Sequence, residues 1–118
     1  MNFNDYQIKS RETAIYPQLE YPDEEGSLNI GFIYPAMGLA GETGEVLEKC
    51  KKILRDDRGI CSDSKRADIE KELGDVLWYV AQLCTEFQLD MNTCAEKDLD
   101  KLLSRKERGV LHGSGDNR

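Results

Sequence analysis

Two acidic pairs, Glu42-x-x-Glu45 and Glu72-x-x-Asp75, are the residues of this 118-residue chain whose types and spacing suit chemistry. Residues three apart on a helix project from one side, so two such pairs on packed helices gather four carboxylates into one cluster. Four anions beside an apolar face repel one another and lose solvation, a cost that needs compensation. A hard divalent cation supplies it, and an all-oxygen donor set suits Mg²⁺, with Mn²⁺ as a substitute. Magnesium held in this way usually bridges to substrate phosphates. The pairs therefore read as a magnesium site that works on a phosphorylated substrate.

Helical phase separates these pairs from a solvated face, which is what most Glu-x-x-Glu pairs are. At about 100° per residue, Leu39, Val46, Leu47, Cys50, Ile53 and Leu54 form one apolar face, and Glu42, Glu45 and Lys49 run along its edge. On the next helix Ile69, Leu73, Val76, Val80, Leu83 and Phe87 define the core stripe. Glu72 projects inside that arc, between Val76 and Tyr79, and Asp75 sits at its border. Gly38, Gly41, Gly44 and Gly74 surround the pairs, although glycine costs about 1 kcal/mol against alanine in a helix interior. Close approach of a neighbouring helix or of a ligand accounts for them equally well. Further on, Asp98, Lys101 and Arg105 share an edge of the face formed by Ala95, Leu99, Leu102 and Leu103. Cations there suit phosphate oxygens, arginine in bidentate fashion, although such a stripe standing alone is more often surface decoration.

Four helices must position these residues. The first is expected from about Asp5 to Tyr16, stopped by Pro17. A long connection follows, in which Pro22, Asp23, Glu24, Glu25 and Gly26 have turn character and no strand is expected. The second helix spans Pro35 to Leu54, with proline in its first turn and Asp56-Asp57-Arg58-Gly59 closing it. The third is capped by Ser62 or Asp63 and runs to about Phe87; the fourth starts after Asp90 and ends near Gly109. The expected fold is all-α: one domain over 1–110 like an antiparallel four-helix bundle, then a flexible tail over 111–118. The first helix is short and sparsely apolar, so the core is expected to be completed by oligomerisation, as a homodimer or homotetramer.

Bulk properties narrow the function classes. A net charge of -7 and a pI of about 4.7 leave no broad basic field for nucleic acid. No apolar run approaches the roughly twenty residues of a spanning helix, and the first residues lack the basic and apolar regions of a signal peptide. Cys50, Cys61, Cys84 and Cys94 show no Cys-x-x-Cys spacing, and His112 is the one histidine; neither a zinc site nor a disulfide framework is expected. Cys50 and Cys84 fall on apolar helical positions and read as small buried hydrophobes. The expected location is the cytoplasm, with no membrane and no nucleic-acid partner.

The string Gly38-Leu39-Ala40-Gly41-Glu42-Thr43-Gly44-Glu45-Val46, then Lys49, then Glu72-Leu73-Gly74-Asp75-Val76-Leu77-Trp78-Tyr79, closely resembles the MazG-like nucleotide pyrophosphohydrolases of the all-α NTP pyrophosphatase superfamily. The likeness extends upstream to Thr13-Ala14-Ile15-Tyr16-Pro17 and Tyr34, and downstream to Lys101-Leu102, Arg105 and Gly109. Either acidic pair alone is a weak signal; both together are specific. The resemblance implies Mg²⁺-dependent hydrolysis of a nucleoside or deoxynucleoside triphosphate to the monophosphate and pyrophosphate. It implies that Glu42, Glu45, Glu72 and Asp75 hold the metal; one carboxylate could serve as general base instead of ligand, Glu45 by preference, and Glu45 and Glu72 are the catalytic candidates. Lys49, Lys52, Lys101 and Arg105 are the phosphate contacts to examine, with Asp98 beside them, and Tyr16, Tyr34, Trp78 and Tyr79 the rings that could stack on a base. Two positions depart from the family pattern: Gly41 stands where many relatives have glutamate, and Asp98 where they often have asparagine. Both bear on base and sugar preference more than on activity.

Three alternatives stay open at this stage. One is a pyrophosphohydrolase specialised for another nucleotide, such as phosphoribosyl-ATP. Another is a non-catalytic helical interaction or regulatory module, against which stands the retention of all four carboxylates. A di-iron carboxylate bundle lacks its usual Glu-x-x-His ligands.

Overall fold

The computed structural model describes residues 1–18 and 30–118 in full, and the backbone of residues 20–23 and 26–29. Helix α1, Phe3–Arg11, opens on a reciprocal cap: the Asn2 side chain accepts from the Asp5 amide at 2.9 Å, and Asp5 accepts from the Asn2 amide at 3.3 Å. It ends well before Tyr16. The Thr13 amide and hydroxyl both donate to the Ser10 carbonyl, at 3.0 and 2.7 Å, and a residue preceding proline, as Tyr16 does, is pushed away from helical backbone. In the connection expected to be a turn without strands, β1 (Glu20–Asp23) pairs antiparallel with β2 (Gly26–Asn29), Glu20 opposite Asn29. Glu24 and Glu25, the middle of that turn, lie outside the described residues.

Helix α2, Ile33–Asp57, starts before Pro35 and closes where Arg58 and Gly59 turn left-handed, at φ 57° and 80°. Helix α3, Asp63–Glu86, is capped by Ser62, whose hydroxyl accepts from the Lys65 amide at 3.3 Å. Helix α4, Met91–Glu107, is capped by Asp90, which accepts from the Thr93 amide at 2.7 Å. These boundaries follow the expected ones to within a few residues, and the all-α reading holds for the body of the chain.

The packing is more open than a four-helix bundle. α2 and α3 form a hairpin, α1 lies on α3, and α4 packs against α1 instead of closing on the hairpin. Polar side chains of α1 fix that route: Gln7 donates to the Leu89 carbonyl at 2.9 Å and accepts from the Met91 amide at 2.9 Å, while Asn4 accepts from the Asn92 amide. The core beneath them is small, formed by Ala81, Cys84 and Met91 with Tyr6 and Val80. The radius of gyration is 18.1 Å, against about 13 Å for a compact domain of some 100 residues.

Much apolar surface is therefore uncovered in one chain. Leu47 and Leu54 on α2, Leu73 and Leu77 on α3, and Leu99, Leu102 and Leu103 on α4 are exposed. Cys84 is buried as expected, whereas Cys50 is exposed, because the apolar arc of α2 is wider than α3 covers: Ile53 is buried and Leu47 and Leu54 are left outside. The last residues curl back on α4, with Arg105 donating to the Asp116 carbonyl. No described helix is long and apolar enough to cross a membrane.

Candidate metal centre

Two polar stripes meet along the α2–α3 seam. On α2 the positions Gly38, Glu42, Glu45, Lys49, Lys52 and Asp56 recur at alternating steps of four and three; on α3 Glu72, Asp75, Tyr79, Gln82 and Glu86 do the same. The hairpin brings one carboxylate oxygen from each of Glu42, Glu72 and Asp75 within 4.8 Å of one another. Glu72 is the inward-pointing member its helical phase implied, with 19% of its side chain exposed, and Lys49 pairs with it at 3.5 Å. Burial raises the Glu42 carboxyl above the ordinary glutamate range, and the charges of Asp75, Glu72 and Glu45 add to the rise. At this separation the three carboxylates could together hold one hard divalent cation. Among the described residues this is the one group of three or more metal-ligating side chains, and it holds no histidine or cysteine. The donor set fits a hard cation.

Gly38 explains how the helices approach here. A Cβ at that position would stand 2.1 Å from the Tyr79 ring, which lies directly against the α2 backbone. Gly41, Gly44 and Gly74 have nothing within 4 Å of such an atom, so helix contact inside one chain does not account for them.

A cleft of about 300 Å³ adjoins the carboxylates, lined by Thr13, Glu42, Asp75, Trp78 and Tyr79. The Trp78 indole donates to the Thr13 hydroxyl at 2.8 Å and meets Tyr79 edge-on at 5.0 Å. At the opposite end of the seam, Lys49, Lys52, Lys65, Asp56, Asp68 and Ile53 line a second hollow of about 230 Å³. The order along the hairpin is thus aromatic cleft, carboxylates, lysines.

The remaining residues singled out from sequence are scattered. Glu45 is exposed and stands outside the three-carboxylate group, one turn from Glu42. Lys52 pairs with Glu48 at 3.3 Å. Lys101 pairs with Asp98 at 2.8 Å on α4, away from the hairpin. Arg105 is 4% exposed and donates to the Asp116 carbonyl at 2.8 Å. Tyr16 is buried, its ring stacked on Tyr34 at 5.3 Å, so it backs the cleft without lining it. Sequence reading passed over Arg11, Gln82 and Glu86, which form a partly buried polar network behind the same wall. The three-four spacing that runs from Glu72 to Glu86 was the available signal.

The family model for the MazG nucleotide pyrophosphohydrolase domain matches residues 36–110, a span that includes both acidic pairs and the whole α2–α3 seam. The chain belongs to the MazG nucleotide pyrophosphohydrolase family. The Gene 37 protein of Mycobacterium phage L5 is 48% identical to this chain over 118 residues, covering all of both chains. No solved structure matches this MazG chain.

Proposed function

We propose that this chain is a Mg²⁺-dependent hydrolase of a nucleoside or deoxynucleoside triphosphate, releasing the monophosphate and pyrophosphate in the cytoplasm. The observation that carries the reading is the three-carboxylate group set between an aromatic cleft and a row of lysines. Glu42, Glu72 and Asp75 would hold the ion, with Glu45 joining them or acting as base. Bound there, the ion would polarise the phosphoryl oxygens and offset charge on the departing pyrophosphate.

The chain's own residues supply the rest. Trp78, with Tyr79, borders the cleft that takes the nucleoside, and Lys49 and Lys52 lie on the side where the phosphate tail extends. Glu45, outside the three-carboxylate group, is the preferred base for the attacking water if it does not join the ion. Lys101 and Asp98 lie exposed on α4, outside the seam of their own chain, so they would meet phosphates through a second copy, whereas Arg105 is buried against its own tail. The exposed leucines of α2, α3 and α4 support that homodimer or homotetramer.

Glu72→Gln tests the site. It should lower kcat by about a hundredfold or more and abolish Mg²⁺ binding by calorimetry, with helicity by circular dichroism retained. Undiminished turnover would remove Glu72 from the site. A wild-type protein that binds Mg²⁺ and nucleotide without turnover would favour a non-catalytic module.

A further inference from the structure

Behind the aromatic cleft, one carboxylate oxygen draws three donors from a single stretch of chain. Glu86 Oε1 accepts from Arg11 Nη1 at 3.0 Å, from Gln18 Nε2 at 3.3 Å and from the Tyr16 hydroxyl. The Glu86 side chain is only 5% exposed, so it is a nearly buried anion whose partners satisfy it locally. Arg11 Nη1 also donates to the Tyr16 oxygen and, at 3.3 Å, to Gln82 Oε1. Gln82 is fully buried, and its amide donates to the Ser10 hydroxyl at 3.1 Å. Apart from the Arg11–Tyr16 bond, these bonds tie residues 10–18 to the C-terminal half of α3.

The tied segment has little else to hold it in shape. After Arg11 it is neither helix nor strand, yet it supplies Thr13 to the cleft and Tyr16 to its back. Tyr16 meets Trp78 edge-on at 6.2 Å and stacks on Tyr34 at the start of α2. Thr13 accepts the Trp78 indole proton and gives its own to the Ser10 carbonyl. The wall of the cleft is therefore a chain of contacts, Tyr34 to Tyr16 to Trp78 to Tyr79, in which Tyr79 rests on Gly38 and Tyr16 is held by Glu86. The candidate metal-binding carboxylates are on α2 and α3, and none of the bonds that tie this segment down is made to them.

We propose that Arg11, Tyr16 and Glu86 are positioning residues that latch the 10–18 segment against α3 and so set the shape of the nucleoside end of the cleft. This rests on the nucleotide reading of the cleft. The latch governs how substrate binds and leaves metal binding and the chemical step to the α2–α3 carboxylates.

The test uses Arg11→Met, Arg11→Lys and the milder Tyr16→Phe, each assayed for KM and kcat with the nucleotide the wild type turns over best. Trp78 is the one tryptophan in the chain, so acrylamide quenching of its fluorescence reports on the wall directly. Arg11→Met should raise KM about tenfold or more, keep kcat within about threefold, leave Mn²⁺ affinity unchanged and make Trp78 more quenchable. Arg11→Lys, which keeps a cation in reach of Glu86, should restore most of the lost binding. Tyr16→Phe, which removes one hydroxyl, should shift KM in the same direction if Arg11→Met fails to fold. An unchanged KM in folded variants would overturn the latch, and so would a joint loss of kcat and metal affinity. Absence of turnover by the wild type would overturn the nucleotide reading instead, while Trp78 quenching in the same variants would still decide whether the latch holds the wall.

Discussion

Glu86 and its three donors give the residue scale a pH signature. Burial pushes its carboxyl up, but the hydrogen bonds from Tyr16, Gln18 and Arg11 outweigh that and leave it below the ordinary glutamate value. A carboxylate whose folded pKa is depressed stabilises the fold fully above its unfolded value, about 4.3, and loses that contribution as pH falls through the folded value. Glu86→Gln should therefore cost about 1–3 kcal/mol at neutral pH, and the gap to wild type should narrow below about pH 4 in urea titrations. A gap that stays constant to acid pH would show that charge plays no part. At this scale the acidic pairs were legible because their spacing is local. Glu86 was not: its donors Arg11 and Tyr16 are some seventy positions away in sequence and meet it only through tertiary packing.

At the scale of elements, the glycines of the hairpin separate two causes that sequence left equal. Gly38→Ala must displace the Tyr79 ring, an overpacking cost of about 1–3 kcal/mol, and should weaken nucleotide binding with it. Gly41→Ala meets open space in the single chain and should stabilise it by up to about 1 kcal/mol through helix propensity. Urea unfolding of the two variants checks the signs; equal effects would mean that neither glycine is there for Tyr79. Helix starts and stops were readable because caps are local chemistry: Ser62, Asp90 and the Arg58–Gly59 turn are where the chain says they are. The early end of α1 and the β1–β2 pair were not, since Pro17 marked a limit to the helix and Thr13 decided its actual end.

At the scale of the whole molecule, helical periodicity specified which faces are apolar but could not say what covers them. Gln7 and Asn4 steer the start of α4 onto α1, and its leucines stay exposed. A second copy burying these stripes should make the protein a dimer or tetramer by sedimentation, and Leu102→Glu should shift it toward monomer and lower activity; a fully active monomer would contradict the role assigned to Lys101. The central claim concerns the bond that breaks. Incubating the protein with a panel of NTPs and dNTPs and Mg²⁺, and quantifying nucleotide products, pyrophosphate and orthophosphate separately, tests it most directly. Equimolar monophosphate and pyrophosphate from at least one nucleotide, lost on chelation of the metal, is the predicted result; orthophosphate without pyrophosphate, or no turnover of any nucleotide, would contradict it.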